Sequence, residues 1–172
     1  GSGDAARDIS SRTLSLLESF YKTGMPSDTV LATVNSLVSF SADERFSCLD
    51  LAAVDLDSGD ADIVKIGSPA GFLLAEEELK ILEGESLPMG ALDAVHPATM
   101  RLAMHENDFL LFMSDGVSSA FGSSADLCAY LGGLHPLNPQ ALAENVLAAA
   151  LARAGEAEDD MTVLAVRLTA AA

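Results

Sequence analysis

Two acidic sites in this 172-residue chain interrupt apolar stretches instead of decorating turns. Asp115 follows the run Phe109-Leu110-Leu111-Phe112-Met113-Ser114 and precedes Gly116, so a carboxylate stands at the mouth of a buried segment where the chain bends sharply. Asp159 and Asp160 stand just before the apolar stretch Met161 to Leu168. If the two stretches pair antiparallel, the end of the first and the start of the second share one sheet edge, and Asp115 and Asp159 converge. Converging carboxylates with no basic partner repel each other unless a cation sits between them. Oxygen-only donors, without a His or Cys cluster, point to Mg²⁺ or Mn²⁺ rather than Zn²⁺. The competing reading treats both sites as solvated turn formers at strand ends.

The elements that must position these residues follow from periodicity. Ile9, Leu16, Leu17 and Phe20 recur at helical spacing from Ala5 to Tyr21, with Gly24 and Pro26 as a stop. A second helix starts at Ser27, an N-cap, and carries Val30, Leu31, Val34, Leu37 and Val38 on one stripe. Phe46 to Leu56 and Ala61 to Ile66 form a hairpin across Asp57-Ser58-Gly59-Asp60, followed by strands over Gly71 to Ala75, Leu79 to Leu82 and Ala98 to Ala103. Phe109 to Met113 has the composition of a strand buried on both faces. Ser124 to Leu131 is a short helix, and Asn138-Pro139 opens a longer one to Ala154 with Leu142, Val146, Ala150 and Leu151 inward. A last strand runs from Met161 to Leu168. Helix pair, antiparallel strands, helix pair and strand make an α+β chain, expected as one domain over 1–172 without a linker or repeat.

Composition narrows the function. Folding a chain this long hides roughly 70% of its surface, and with 49% hydrophobic residues a sizeable core is expected. Nine basic against 26 acidic residues give a formal charge of -17, the wrong sign for binding nucleic acid or an anionic bilayer. Phosphate chemistry on such a chain needs locally concentrated positive charge, which metal ions supply. Cys48 and Cys128 lie in separate apolar segments and read as buried free thiols of a reducing cytosol. His96, His105 and His135 sit in or beside turns and read as structural. The segment from Asp55 to Asp60 reads as a turn and not a calcium loop, since Ile66 stands where the bidentate Glu belongs. The first Met is Met25, so the chain reads as a processed product or an excised fragment.

The motifs Met113-Ser114-Asp115-Gly116, Asp159-Asp160-Met161-Thr162-Val163 and Leu87-Pro88-Met89-Gly90 resemble those of metal-dependent protein serine/threonine phosphatases of the type-2C (PPM) class. In particular they are similar to the catalytic domain of stage II sporulation protein E. Phe46 to Leu51, Asp55-Leu56 and Val64 to Pro69 fall in the order that family shows, so the resemblance covers nearly the whole chain. It implies a β-sandwich flanked by helices, with two Mn²⁺ or Mg²⁺ ions at one edge and a bridging water attacking phosphoserine in line. By position Asp115 and Asp159 would be metal ligands, with Asp160 beside them where relatives carry Asp or Asn. Gly116 belongs to the same loop. Asp50, in step with Phe46, Cys48, Ala52 and Val54, either supports the metal site from behind or is an ordinary polar anchor. The resemblance further implies a phosphorylated anti-anti-sigma-type protein as substrate, and a switch role for the first two helices. It implies a cytoplasmic location and room for an N-terminal regulatory or membrane region in the native protein.

One departure qualifies this. Relatives carry Asp-Gly-Met-Gly just before the first helix, and its Asp bridges the metals; here the chain opens Gly1-Ser2-Gly3-Asp4. Gly1 is the last glycine of that motif, or Gly1-Ser2 is a cloning remnant. Asp4 fits an N-cap better than a substitute ligand. With the bridging Asp and upstream strands missing, the expectations are an incomplete sandwich, an exposed apolar edge able to form a homodimer, and little phosphatase activity in this chain alone. The alternatives are a non-catalytic regulatory or dimerisation module of the same fold, and an unrelated α+β binding protein.

Overall fold

Alternating burial along the strands builds the architecture seen in a computed structural model, which describes residues 4–39, 46–76, 78–155 and 159–169. Gly1 and the stretch 156–158 lie outside the described residues, as do Glu77 and the side chain of Asp4. The elements run α1 (Asp4–Tyr21), α2 (Ser27–Ser39), β1 (Leu49–Val54), β2 (Asp60–Ile66), β3 (Gly71–Leu74), β4 (Leu79–Leu82), β5 (Ala98–Ala103), β6 (Phe109–Met113), α3 (Asp115–Phe121), α4 (Ser124–Leu131), α5 (Pro139–Ala154) and β7 (Val163–Arg167). The strands form a three-stranded sheet in the order β1-β2-β5 and a four-stranded sheet in the order β4-β3-β6-β7. Among the described residues no helix is long and apolar enough to cross a membrane.

The chain divides into two compact units whose segments interleave along the sequence. In the larger one, all five residues of β6 are buried, as the apolar run predicts. Leu110 and Phe112 share one cluster with Ala61, Ile63, Leu73, Leu82, Leu102 and Met104, the filling of a β-sandwich. Phe109, Leu111 and Met113 point the other way, against Val117, Phe121, Leu127, Leu142 and Val146 of α3 to α5. The Asn138 side chain accepts the Ala141 N–H at 2.8 Å with Pro139 in the first turn, the expected opening of α5.

β7 pairs antiparallel with β6, from Phe109 opposite Arg167 to Met113 opposite Val163. Leu164 and Val166 stand opposite Phe112 and Leu110 yet remain 56% and 46% exposed. Leu164 and Val166 thus form an exposed apolar strip along β7.

The smaller unit holds α1, α2 and the segments 64–68 and 85–98. Asn35 of α2 is buried, donating to the carbonyl oxygens of Leu92 and Asp93 at 3.0 and 3.1 Å and accepting the Gly90 N–H at 2.8 Å. The loop over 85–98 is thereby tied to α2. Ser47 and Met89 exchange both backbone hydrogen bonds, an isolated bridge preceding β1.

Several expectations need correction. The first strand spans Leu49–Val54, not Phe46 to Leu56. Ser47 turns inward to Met89, so alternation leaves Phe46 and Cys48 exposed. Cys128 is half-buried, so neither thiol is fully enclosed. Pro26, whose carbonyl accepts the Val30 N–H, precedes α2, and Ser27 is its first residue rather than its cap. Leu37 and Leu151 lie off their stripes at 45% and 47% exposure, and Asn35 takes an inward position in α2.

Candidate functional site

The sharp bend expected after β6 is the start of a helix. Ser114, extended at φ -75° and ψ 164°, caps α3, and its carbonyl accepts the Val117 and Ser118 N–H groups. Asp115 therefore sits in the first turn of α3, where the free N–H groups favour a negative side chain. Gly116 costs little at a helix start and suits the crowding: a Cβ there would lie 2.7 Å from the Asp160 carbonyl oxygen.

The start of β7 is stitched to this corner. The Ser114 N–H donates to the Thr162 carbonyl at 3.0 Å, and the Ser114 hydroxyl donates to the Asp160 carbonyl at 2.9 Å. The same hydroxyl accepts the Thr162 N–H at 2.9 Å. Asp159 in turn accepts the Asp160 N–H on its own carboxylate at 2.8 Å.

Asp115 and Asp159 line one cleft of about 390 Å³, together with Gly116, Ser119, Arg153 and Met161. Asp160 does not line it and contributes its backbone carbonyl to Ser114 instead. The antiparallel pairing of β6 and β7 is what brings the two carboxylates to one rim. In kind this donor set suits a hard divalent cation. In number it falls short, since no group of three His, Cys, Asp or Glu side chains able to hold a metal exists among the described residues.

Asp50 belongs to the smaller unit. Its carboxylate pairs with the buried ammonium of Lys65 and accepts the Ser68 hydroxyl at 2.7 Å. Sequence reasoning singled out Asp50 but not Lys65, because a lysine inside an apolar strand gives no sign of its partner. Arg153 was likewise missed, although it is the single basic residue between Arg101 and Arg167. The turn expected over Asp55 to Asp60 is present: Asp55 accepts the Asp57 and Ser58 N–H groups at 2.9 Å each.

The family model of stage II sporulation protein E matches residues 1–169. The chain belongs to the stage II sporulation protein E family. A curated member from Priestia megaterium is 32% identical over 98% of this chain, which spans 30% of that protein's length. The structure of the PP2C phosphatase domain and a fragment of the regulatory domain of SpoIIE from Bacillus subtilis superposes with a TM-score of 0.86 at 26% identity. It covers 97% of this chain and 51% of that one. A manganese-presoaked crystal of the Bacillus subtilis SpoIIE phosphatase domain gives 0.71 at 25% identity, covering 93% and 74%. The α+β architecture is thus that of the PP2C phosphatase domain, as the motifs led one to expect.

Proposed function

We propose that this chain forms the metal-edge part of a protein serine/threonine phosphatase, in which Asp115 and Asp159 hold a divalent cation. The observation that carries this reading is the cleft both carboxylates line at paired ends of β6 and β7. Family membership supports the reaction class, and the manganese-soaked relative supports a metal requirement. A divalent ion held by Asp115 and Asp159 would supply positive charge to the phosphoryl oxygens and would lower the pKa of a water molecule.

The chain's own residues orient that chemistry. Ser114 holds the start of β7 against the start of the helix bearing Asp115, keeping the two backbones that carry the carboxylates together. Asp160 acts through its carbonyl oxygen, not as a ligand of the same ion. Because two carboxylates leave most positions of a hard-cation site unfilled, the 172-residue chain alone turns over phosphoserine peptides weakly or not at all. The substrate we assign is a phosphorylated regulatory protein of the anti-anti-sigma type, met in the cytoplasm.

The test uses the full-length protein with Mn²⁺ and a phosphoserine peptide. Asp115→Asn and Asp159→Asn should each lower turnover by about a hundredfold or more and weaken Mn²⁺ binding, with the fold retained. Near-native Mn²⁺-dependent turnover in both variants would overturn the assignment. The exposed Leu164 and Val166 favour a second reading, a non-catalytic association module. A full-length protein that binds no Mn²⁺ yet self-associates would support it.

A further inference from the structure

The cleft between Asp115 and Asp159 has a cationic wall. Arg153, in the last turn of α5, lines it together with Asp115 of α3 and Asp159 and Met161 ahead of β7. Its guanidinium carbon lies 4.5 Å from the centroid of the Phe121 ring and 5.7 Å from that of Tyr130. The two rings are themselves 5.3 Å apart and tilted by 46°, and the Tyr130 hydroxyl is tied to the Asn145 carbonyl at 3.1 Å. Among the described residues no carboxylate lies within ion-pair distance of Arg153.

We infer that Arg153 is a substrate-binding residue, a fork that grips the phosphoryl oxygens of a phosphomonoester dianion entering this cleft. This rests on the phosphatase reading above. Three physical points carry it. A dianion approaching two carboxylates on a chain of net charge -17 meets repulsion that a fixed cation offsets. Among the residues lining the cleft, Arg153 is the one that carries positive charge. A guanidinium held against aromatic faces keeps its N–H edge for a partner, and among the described residues that edge of Arg153 has no carboxylate partner; such an edge matches two phosphoryl oxygens at once. An arginine already held in place loses less side-chain entropy on binding than a free one.

The experiment compares wild type, Arg153→Lys and Arg153→Met in the full-length protein. Three quantities are read: melting temperature, Mn²⁺ affinity from free-ion electron paramagnetic resonance, and affinity for a peptide carrying a non-hydrolysable phosphonate analogue of phosphoserine. Arg153→Met should weaken phosphonopeptide binding and raise KM for the phosphopeptide by about tenfold, with kcat changed far less. Mn²⁺ affinity should stay the same or rise, because a neighbouring positive charge has been removed. Arg153→Lys should fall between, retaining charge without the fork.

Unchanged phosphonopeptide binding in Arg153→Met would overturn the inference. So would a joint fall in melting temperature, Mn²⁺ affinity and peptide affinity, which marks a purely structural contact. Failure of the underlying reading looks different: wild type itself would then bind neither Mn²⁺ nor the phosphonopeptide.

Discussion

The Ser114 hydroxyl donates a 2.9 Å hydrogen bond to the carbonyl oxygen of Asp160, forty-six residues further along the chain. The Ser114 Oγ in turn accepts the Thr162 N–H, so one side chain joins the end of β6 to the start of β7. Ser114→Ala removes both bonds and should cost about 1–2 kcal/mol of stability, read from the urea midpoint. In the full-length protein it should also weaken Mn²⁺ binding, since Asp115 and Asp159 lose the brace between them. Ser114→Thr retains the hydroxyl and should recover most of both effects.

Asp50 and Lys65 differ in burial, with side chains 17% and 1% exposed, and this makes their substitutions unequal. Asp50→Ala takes the Asp50 carboxylate away from a buried ammonium and should destabilise the protein by about 3 kcal/mol. Lys65→Met puts an apolar chain of similar length in the buried position and leaves Asp50 its Ser68 bond and some water. It should cost no more than about 2 kcal/mol. Urea unfolding of both variants checks the order, and equal losses would contradict it.

Asp55 is held below its ordinary carboxyl pKa of 3.8 by the backbone N–H groups of Ser58 and Asp57. A lowered folded pKa gives stability that is present above 3.8 and lost as pH falls through the folded value. Asp62 behaves alike, its carboxyl lowered by the hydrogen-bonded Arg101 guanidinium. The stability difference between wild type and Asp55→Ala should therefore be full at neutral pH and shrink in acid below pH 3.8. Thermal melts across pH 2 to 7 measure it.

The apolar strip of β7 should drive association of the 172-residue chain. Sedimentation should show mass rising with concentration. Leu164→Lys combined with Val166→Thr should abolish that rise without lowering the melting temperature, because both side chains are already largely exposed.

The amino-acid sequence by itself determined the elements with strong local signals. Five consecutive apolar residues in β6 require two buried faces, and the structure supplies one with Leu110 and Phe112, the other with Leu111 and Met113. Asn138-Pro139 and the Asp55 turn declare themselves through side chains that bond within a few residues. The pairing of Asp115 with Asp159 followed from the same logic, conditional on β6 and β7 being neighbours.

Tertiary structure decided whatever depended on partners far along the chain. Asp115-Gly116 has the composition of a turn, and only the N–H groups accepted by the Ser114 carbonyl and the packing of Val117 and Phe121 against β6 make it a helix. Asn35 is buried because a loop some fifty-five residues later presents three backbone groups to it. Lys65 is buried because Asp50 meets it from another strand, and Arg153 enters the cleft because two aromatic rings of α3 and α4 hold it there. Local spacing encodes which face a side chain takes; only the folded chain determines which distant group meets it, because that contact forms when separate elements pack.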